Sequence, residues 1–255
     1  MGVSHTPARH SSHHRSGPRR VAAAGLVALA ALTFVAPLPQ GLLAVWRQAY
    51  AGAQPVLTSL TAWLPLPALD TLIVVAAGWL AWRAVRWWRG GRSMRPSPAT
   101  IARGLARTVT LAAVAWLVFL AAWGWHYQVP TLETRLAIQP DELSAARGEE
   151  FARAVVSTLN DTYADAHARA WPSRREMPSV VGPRVAGVLP EVGESWRPAW
   201  PQPRRSLVDL YFRTAGIDGM TNPFGLEVVL NSRVLPMELP ALAAHEYAHL
   251  AGFAD

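Results

Sequence analysis

Apolar residues are placed in two ways along this chain: in long unbroken runs in the first half and at regular intervals in the second. The runs are Val21 to about Pro39, about Leu66 to Trp82, and about Thr108 to Tyr127. A helix needs about 20 residues to cross a hydrocarbon layer about 30 Å thick. The runs therefore predict three transmembrane helices. Trp63, Trp82, Trp87, Trp88, Trp123 and Trp125 gather at their ends, where an amphipathic indole suits the headgroup level. Between the first two runs, residues 40–65 carry Leu42, Leu43, Val45 and Trp46 and are expected to form a loop resting on the outer membrane surface. Asp70, near the outer end of the second run, is expected to be interfacial, the alternative being a functional intramembrane acid.

After Tyr127 the pattern is that of a water-soluble domain. Residues 128–139 suggest an extended linker. Phe151, Val155, Leu159 and Tyr163 recur every four residues, which predicts a helix from Pro140 to about Ala168 with a buried stripe. Pro140, Asp141 and Glu142 suit its first turn. Residues 171–202 are rich in Pro and Arg and are expected to be irregular. A short helix is expected within 203–215, through Leu207, Leu210, Tyr211 and Phe212, followed by a turn region at 216–223. Phe224, Leu226, Val228 and Leu230 alternate with polar or smaller positions, so residues 224–231 read as a strand with one buried face. On its other face Glu227 and Asn231 either line a cleft or form the exposed side of an edge strand.

Charge divides the chain at the same place. Up to Tyr127 there is one acid, Asp70, against twelve arginines; beyond it there are sixteen acids and twelve arginines. Charged residues make up 16% of the whole and hydrophobic ones 51%, a balance that favours membrane insertion over an ordinary soluble composition. Arg9, Arg15, Arg19 and Arg20 precede the first run. Seven arginines, from Arg83 to Arg107, fill or border the loop between the second and third, whereas only Arg47 lies between the first and second. By the positive-inside rule the N-terminus and the Arg-rich loop face the cytoplasm, and everything after Tyr127 lies outside it. The arginines sit beside apolar runs and no nucleic-acid module is present, so nucleic acid is not expected as a partner. Cysteine is absent, which excludes disulfides and thiolate metal sites.

The chemistry is concentrated in His245-Glu246-Tyr247-Ala248-His249, an H-E-x-x-H sequence. Residues four apart lie on one helical face, so His245 and His249 can offer two imidazoles to one Zn²⁺, with Glu246 placed as general base toward water. Pro240 suits the first turn of such a helix and Gly252 its end. A third ligand is needed. In the extended H-E-x-x-H-x-x-G-x-x-H pattern it falls at Asp255; the alternative is a carboxylate farther on, and the chain is expected to be a fragment truncated at its C-terminus.

The run Gly216-Ile217-Asp218-Gly219, Pro223-Phe224-Gly225 with Glu227 and Asn231, Leu235-Pro236, Leu239-Pro240, His245 to His249 and Gly252-Phe253-Ala254 is more specific than the motif alone. With the three upstream segments, it resembles an uncharacterised domain-of-unknown-function family of bacterial three-pass membrane proteins with a zincin-like H-E-x-x-H. The resemblance implies a zinc peptidase whose third ligand follows the Gly-Phe-Ala. It implies no substrate.

The expected fold is thus a membrane α-helical protein with three transmembrane helices, followed by a mainly α, α+β zincin-like extracytoplasmic domain. Residues 1–20 would be a disordered basic cytoplasmic tail, 21–127 the membrane region and 128–255 the outer domain. The expected function is membrane-anchored, zinc-dependent hydrolysis of peptide bonds outside the cytoplasm, with the lipid bilayer and a peptide or protein substrate as partners. The alternatives are an intramembrane zinc protease and a non-catalytic binding domain with a vestigial site.

Overall fold

The computed structural model describes residues 17–89, 97–137 and 144–254. Most of the expected basic tail, part of the Arg-rich loop, Pro140 to Glu142 and Asp255 lie outside the described residues. The first half folds into helices α1 (Gly17–Leu32), α2 (Gln40–Thr61), α3 (Ala68–Arg89) and α4 (Pro98–Ala122). Two of these, α3 and α4, are long and apolar enough to cross a membrane. The first expected span is shorter than its apolar run. Turns from Thr33 end α1, and its 16 residues rise only about 24 Å.

The chain divides into two compact units, Met1–Leu38 with Ser93–Val118 and Pro39–Arg92 with Phe119–Asp255. In the first unit the Trp116 indole donates to Thr33 Oγ1 at 2.9 Å and stacks on Phe34.

The second unit is built around a small antiparallel sheet, β1 (Gly219–Asn222) and β2 (Glu227–Leu230), in the register Thr221 opposite Val228. The expected strand is present but shorter, and the expected turn region supplies its partner. Arg204 pairs with the free edge of β2 through its backbone N–H to Val228 O and its carbonyl to Leu230 N. Every residue of β2 is buried, where alternation had implied one wet face.

Residues 40–61 are helical and packed, not a surface loop. Leu43, Trp46, Tyr50, Gln54 and Thr58 form the buried face of α2. Thr58 Oγ1 donates to Leu226 O at 2.7 Å and Thr61 Oγ1 to Gly225 O at 2.9 Å, which pins the β1–β2 turn. The polar members Gln54 and Thr58 hid this stripe from an apolar count. Asp70 lies in the first turn of α3. It is fully buried and accepts from Ser206 Oγ at 2.6 Å and Leu207 N at 2.7 Å.

Helix α4 ends at Ala122 and a 3₁₀ turn at Gly124–Gln128 closes the third expected span; the expected linker contains a short helix, α5, at Leu132–Arg135. Helix α6 (Ala145–Ala168) is present and capped by Ser144, whose hydroxyl accepts from Arg147 N at 3.2 Å. Its stripe is not core: Phe151, Val155, Leu159 and Tyr163 are all exposed. Periodicity specifies an apolar face but not what covers it. The stretch expected to be irregular contains α7 (Met177–Val180), α8 (Gly182–Val188) and a 3₁₀ turn at Leu189–Val192. Each has a proline near its start, where a missing N–H costs nothing. Helix α9 (Asp209–Ala215) buries Phe212 and leaves Leu210 and Tyr211 exposed, as is Leu207 just before it.

Candidate metal centre

Helix α10 (Leu239–Leu250) carries the H-E-x-x-H sequence. Pro240 stands in its first turn, and Gly252, at φ 101°, turns the chain left-handed just after its end. Leu239, Ala243, Glu246, Tyr247 and Leu250 are its buried residues. Two hydroxyls fix its depth. Tyr247 donates to Pro201 O at 2.8 Å, and Tyr50 of α2 donates to Leu250 O at 3.0 Å.

With that face committed, His245 and His249 are left together on another. Their Nε2 atoms are 3.1 Å apart. His249 Nδ1 lies 2.7 Å from Phe253 O. A carbonyl only accepts, so Nδ1 carries the hydrogen and Nε2 of the neutral ring is a lone pair. The Trp123 ring packs against the same imidazole at 5.2 Å between centroids. Two nitrogens bound tetrahedrally to zinc at about 2.0–2.1 Å stand about 3.3 Å apart. The pair has the donor type and spacing of a zinc ligand pair, and His249 has the outer hydrogen bond that orients such a ligand. Among the described residues no third His, Asp or Glu completes a metal cluster; Asp255 is outside them.

Glu246 is 3% exposed. The Thr221 hydroxyl of β1 lies 2.8 Å from its Oε2 and 3.0 Å from its carbonyl O. On the other side the carboxylate packs onto Gly219, where an added Cβ would sit 2.7 Å from Oε1. Burial pushes the carboxyl above its ordinary pKa, while the Thr221 hydrogen bond and the two histidines oppose the rise.

Residues 46–255 match the family described as Protein of unknown function (DUF3810). The chain belongs to that family. No curated protein and no solved structure matches it.

In this DUF3810 chain Glu227 and Asn231 neither line the metal centre nor form an exposed face. Glu227 accepts from Asn222 Nδ2 at 2.8 Å, from the backbone N–H of Ala68 and from Arg204. It thereby ties the sheet to the start of α3. Asn231 donates to Ile217 O at 3.0 Å and accepts from Arg233 N at 2.9 Å. The partners of Glu246, Thr221 and Gly219, were not singled out as site residues by the sequence, because only sheet pairing brings them under α10.

Two cavities adjoin the motif helix. One, about 720 Å³, opens beside His245 between α8 and α10. The other, about 350 Å³, is lined by Arg47, His126, Arg135 and Glu194. There Glu194 Oε1 meets Arg47 at 2.5 Å and Arg135 at 2.6 Å. Burial, helped by the two arginines, lowers the pKa of His126 to about 3.

Proposed function

We propose that this DUF3810 member is a membrane-anchored, zinc-dependent metallopeptidase that hydrolyses peptide bonds outside the cytoplasm. His245 and His249 hold the metal and Glu246 is the general base. The carrying observation is the 3.1 Å approach of the two Nε2 atoms. Without a cation, only a proton between them would satisfy such an approach. Zinc, when bound, supplies Lewis acidity, bringing the pKa of a water down to near neutrality and polarising a carbonyl.

The protein's own groups do the rest. Phe253 O and Trp123 hold the His249 ring in place, and its tautomer with it. Glu246, made more basic by burial, takes a proton from water and returns it to the leaving amine. Thr221 holds that carboxylate by its Oε2. Asp255 is the candidate third ligand by its spacing from His249.

Membrane anchoring rests on α3 and α4. The arginines at the end of α3, in the connection and at the start of α4, from Arg83 to Arg107, support a cytoplasmic location for that end. Helix α10 has only 12 residues, short of the roughly 20 needed to span, and it packs on a sheet. Both features favour water-exposed over intramembrane proteolysis.

Metal analysis of the full chain after zinc loading tests the reading. An equivalent of zinc is expected, lost in His245→Ala and His249→Ala. Glu246→Gln should keep the zinc and lower hydrolysis of a quenched peptide library by about 10²-fold or more. Failure to take up zinc, or unchanged hydrolysis in Glu246→Gln, overturns it.

A further inference from the structure

One face of α10 serves two purposes. His245 turns its Nε2 toward His249, and the same side chain borders the 720 Å³ cavity. The rest of that helix face is small: Ala241, Ala244 and Ala248 line the cavity and leave it open. The facing wall is aliphatic, with Val181, Val185, Val188 and Leu189 from α8 and its flanks. Phe253 closes one side, its ring held under the Arg135 guanidinium at 5.1 Å.

Among the described residues the lining contains no acid, and apart from His245 its one ionisable member is Arg184, an exposed residue whose guanidinium is turned back to Val180 O. A cavity of this size, apolar and with few polar groups at one edge, is the ordinary form of a small-molecule or side-chain site. Its apolar lining gives a charged side chain nothing to offset desolvation. Arg184 also repels a cationic one.

We propose that this cavity is the pocket for a large aliphatic or aromatic side chain next to the peptide bond that is cut, with Val185 and Val188 limiting its size. The proposal rests on the zinc-peptidase reading for the word "cut". The pocket itself is a property of this chain's own residues. A backbone carbonyl held at the histidine pair places the neighbouring side chain across His245, where the cavity is lined largely by valine, leucine and alanine. Specificity then comes from how much apolar surface the side chain buries, which discriminates large from small residues but only weakly between similar large ones.

Binding tests the pocket separately from catalysis. Blocked pentapeptides that differ only in a central Leu, Phe, Ala, Asp or Lys are titrated onto full-length, detergent-solubilised Glu246→Gln protein without added metal, read by ligand-observed NMR. Leu and Phe peptides should bind about tenfold or more tightly than Ala, as expected from the extra carbons buried, and Asp and Lys peptides should bind least. Val185→Phe should abolish the preference for Phe over Ala, and Val188→Phe, at the exposed rim, should weaken it. Equal binding of Leu, Ala and Asp peptides to the unfilled pocket overturns the proposal even if neither filled variant folds. So does a folded Val185→Phe that keeps the wild-type order. If the binding order holds while Glu246→Gln still hydrolyses peptides at the wild-type rate, the pocket stands and the peptidase reading falls.

Discussion

Thr221 on β1 and Glu246 on α10 are 25 residues apart in sequence, yet the threonine hydroxyl lies 2.8 Å from the carboxylate. This bond joins the sheet to the motif helix, and both residues are buried. Removing the donor leaves a buried carboxylate without its partner, which costs about 1–3 kcal/mol. Thr221→Val should lower the unfolding free energy by that much and reduce hydrolysis. Thr221→Ser should keep most of both. Equal stability of the valine and serine variants would count against a holding role.

Gly219 is needed for room, not for an unusual backbone angle. A Cβ there would lie 2.7 Å from Glu246 Oε1 and 2.8 Å from Leu230 Cδ2. Gly219→Ala should destabilise by about 1–3 kcal/mol through overpacking. The two residues are in contact, so their effects should not add. In a double-mutant cycle, Gly219→Ala should cost less when Glu246 is already alanine. Strict additivity would show that the clash is absorbed elsewhere.

Glu194 accepts from both Arg47 and Arg135, and the arginines differ in exposure. Arg47 is 41% exposed and Arg135 is 13%. Arg47→Ala should cost less than about 1 kcal/mol, as at other solvated pairs. Arg135→Ala should cost more, because it also releases Phe253 at the apolar pocket. Glu194→Ala leaves two cations facing each other and should be the worst of the three. Urea titrations of the set give the order; a reversed ranking of the arginines would refute it.

His126 makes stability depend on pH in a fixed direction. Its ring lies buried against Trp46 and Tyr50, and its pKa falls from 6.5 to about 3 on folding. Below 6.5 the unfolded chain takes up a proton that the folded chain refuses. The contribution is therefore fully present above pH 6.5 and is lost toward pH 3, at about 1.4 kcal/mol per pH unit. His126→Gln should flatten the midpoint-versus-pH curve between pH 7 and 5, even if it lowers the curve. An unchanged slope in that variant would assign the effect to other groups.

The sequence by itself determined whatever is local. H-E-x-x-H at helical spacing, Pro240 at the start and Gly252 past the end specified α10 and placed two imidazoles on one face, because a helix of this kind is fixed by its own backbone. Long apolar runs specified α3 and α4 for the same reason. The tertiary structure alone decided what faces each surface. The stripe of α6 is periodic yet exposed, while the polar stripe of α2 is buried against the sheet and α10, because burial depends on neighbours that no window of sequence contains. Thr221 and Gly219 became partners of Glu246 only once β1 had paired with β2 beneath the helix. The pocket wall at 177–192 went unseen because its prolines read as breakers, when in place each one starts a short helix.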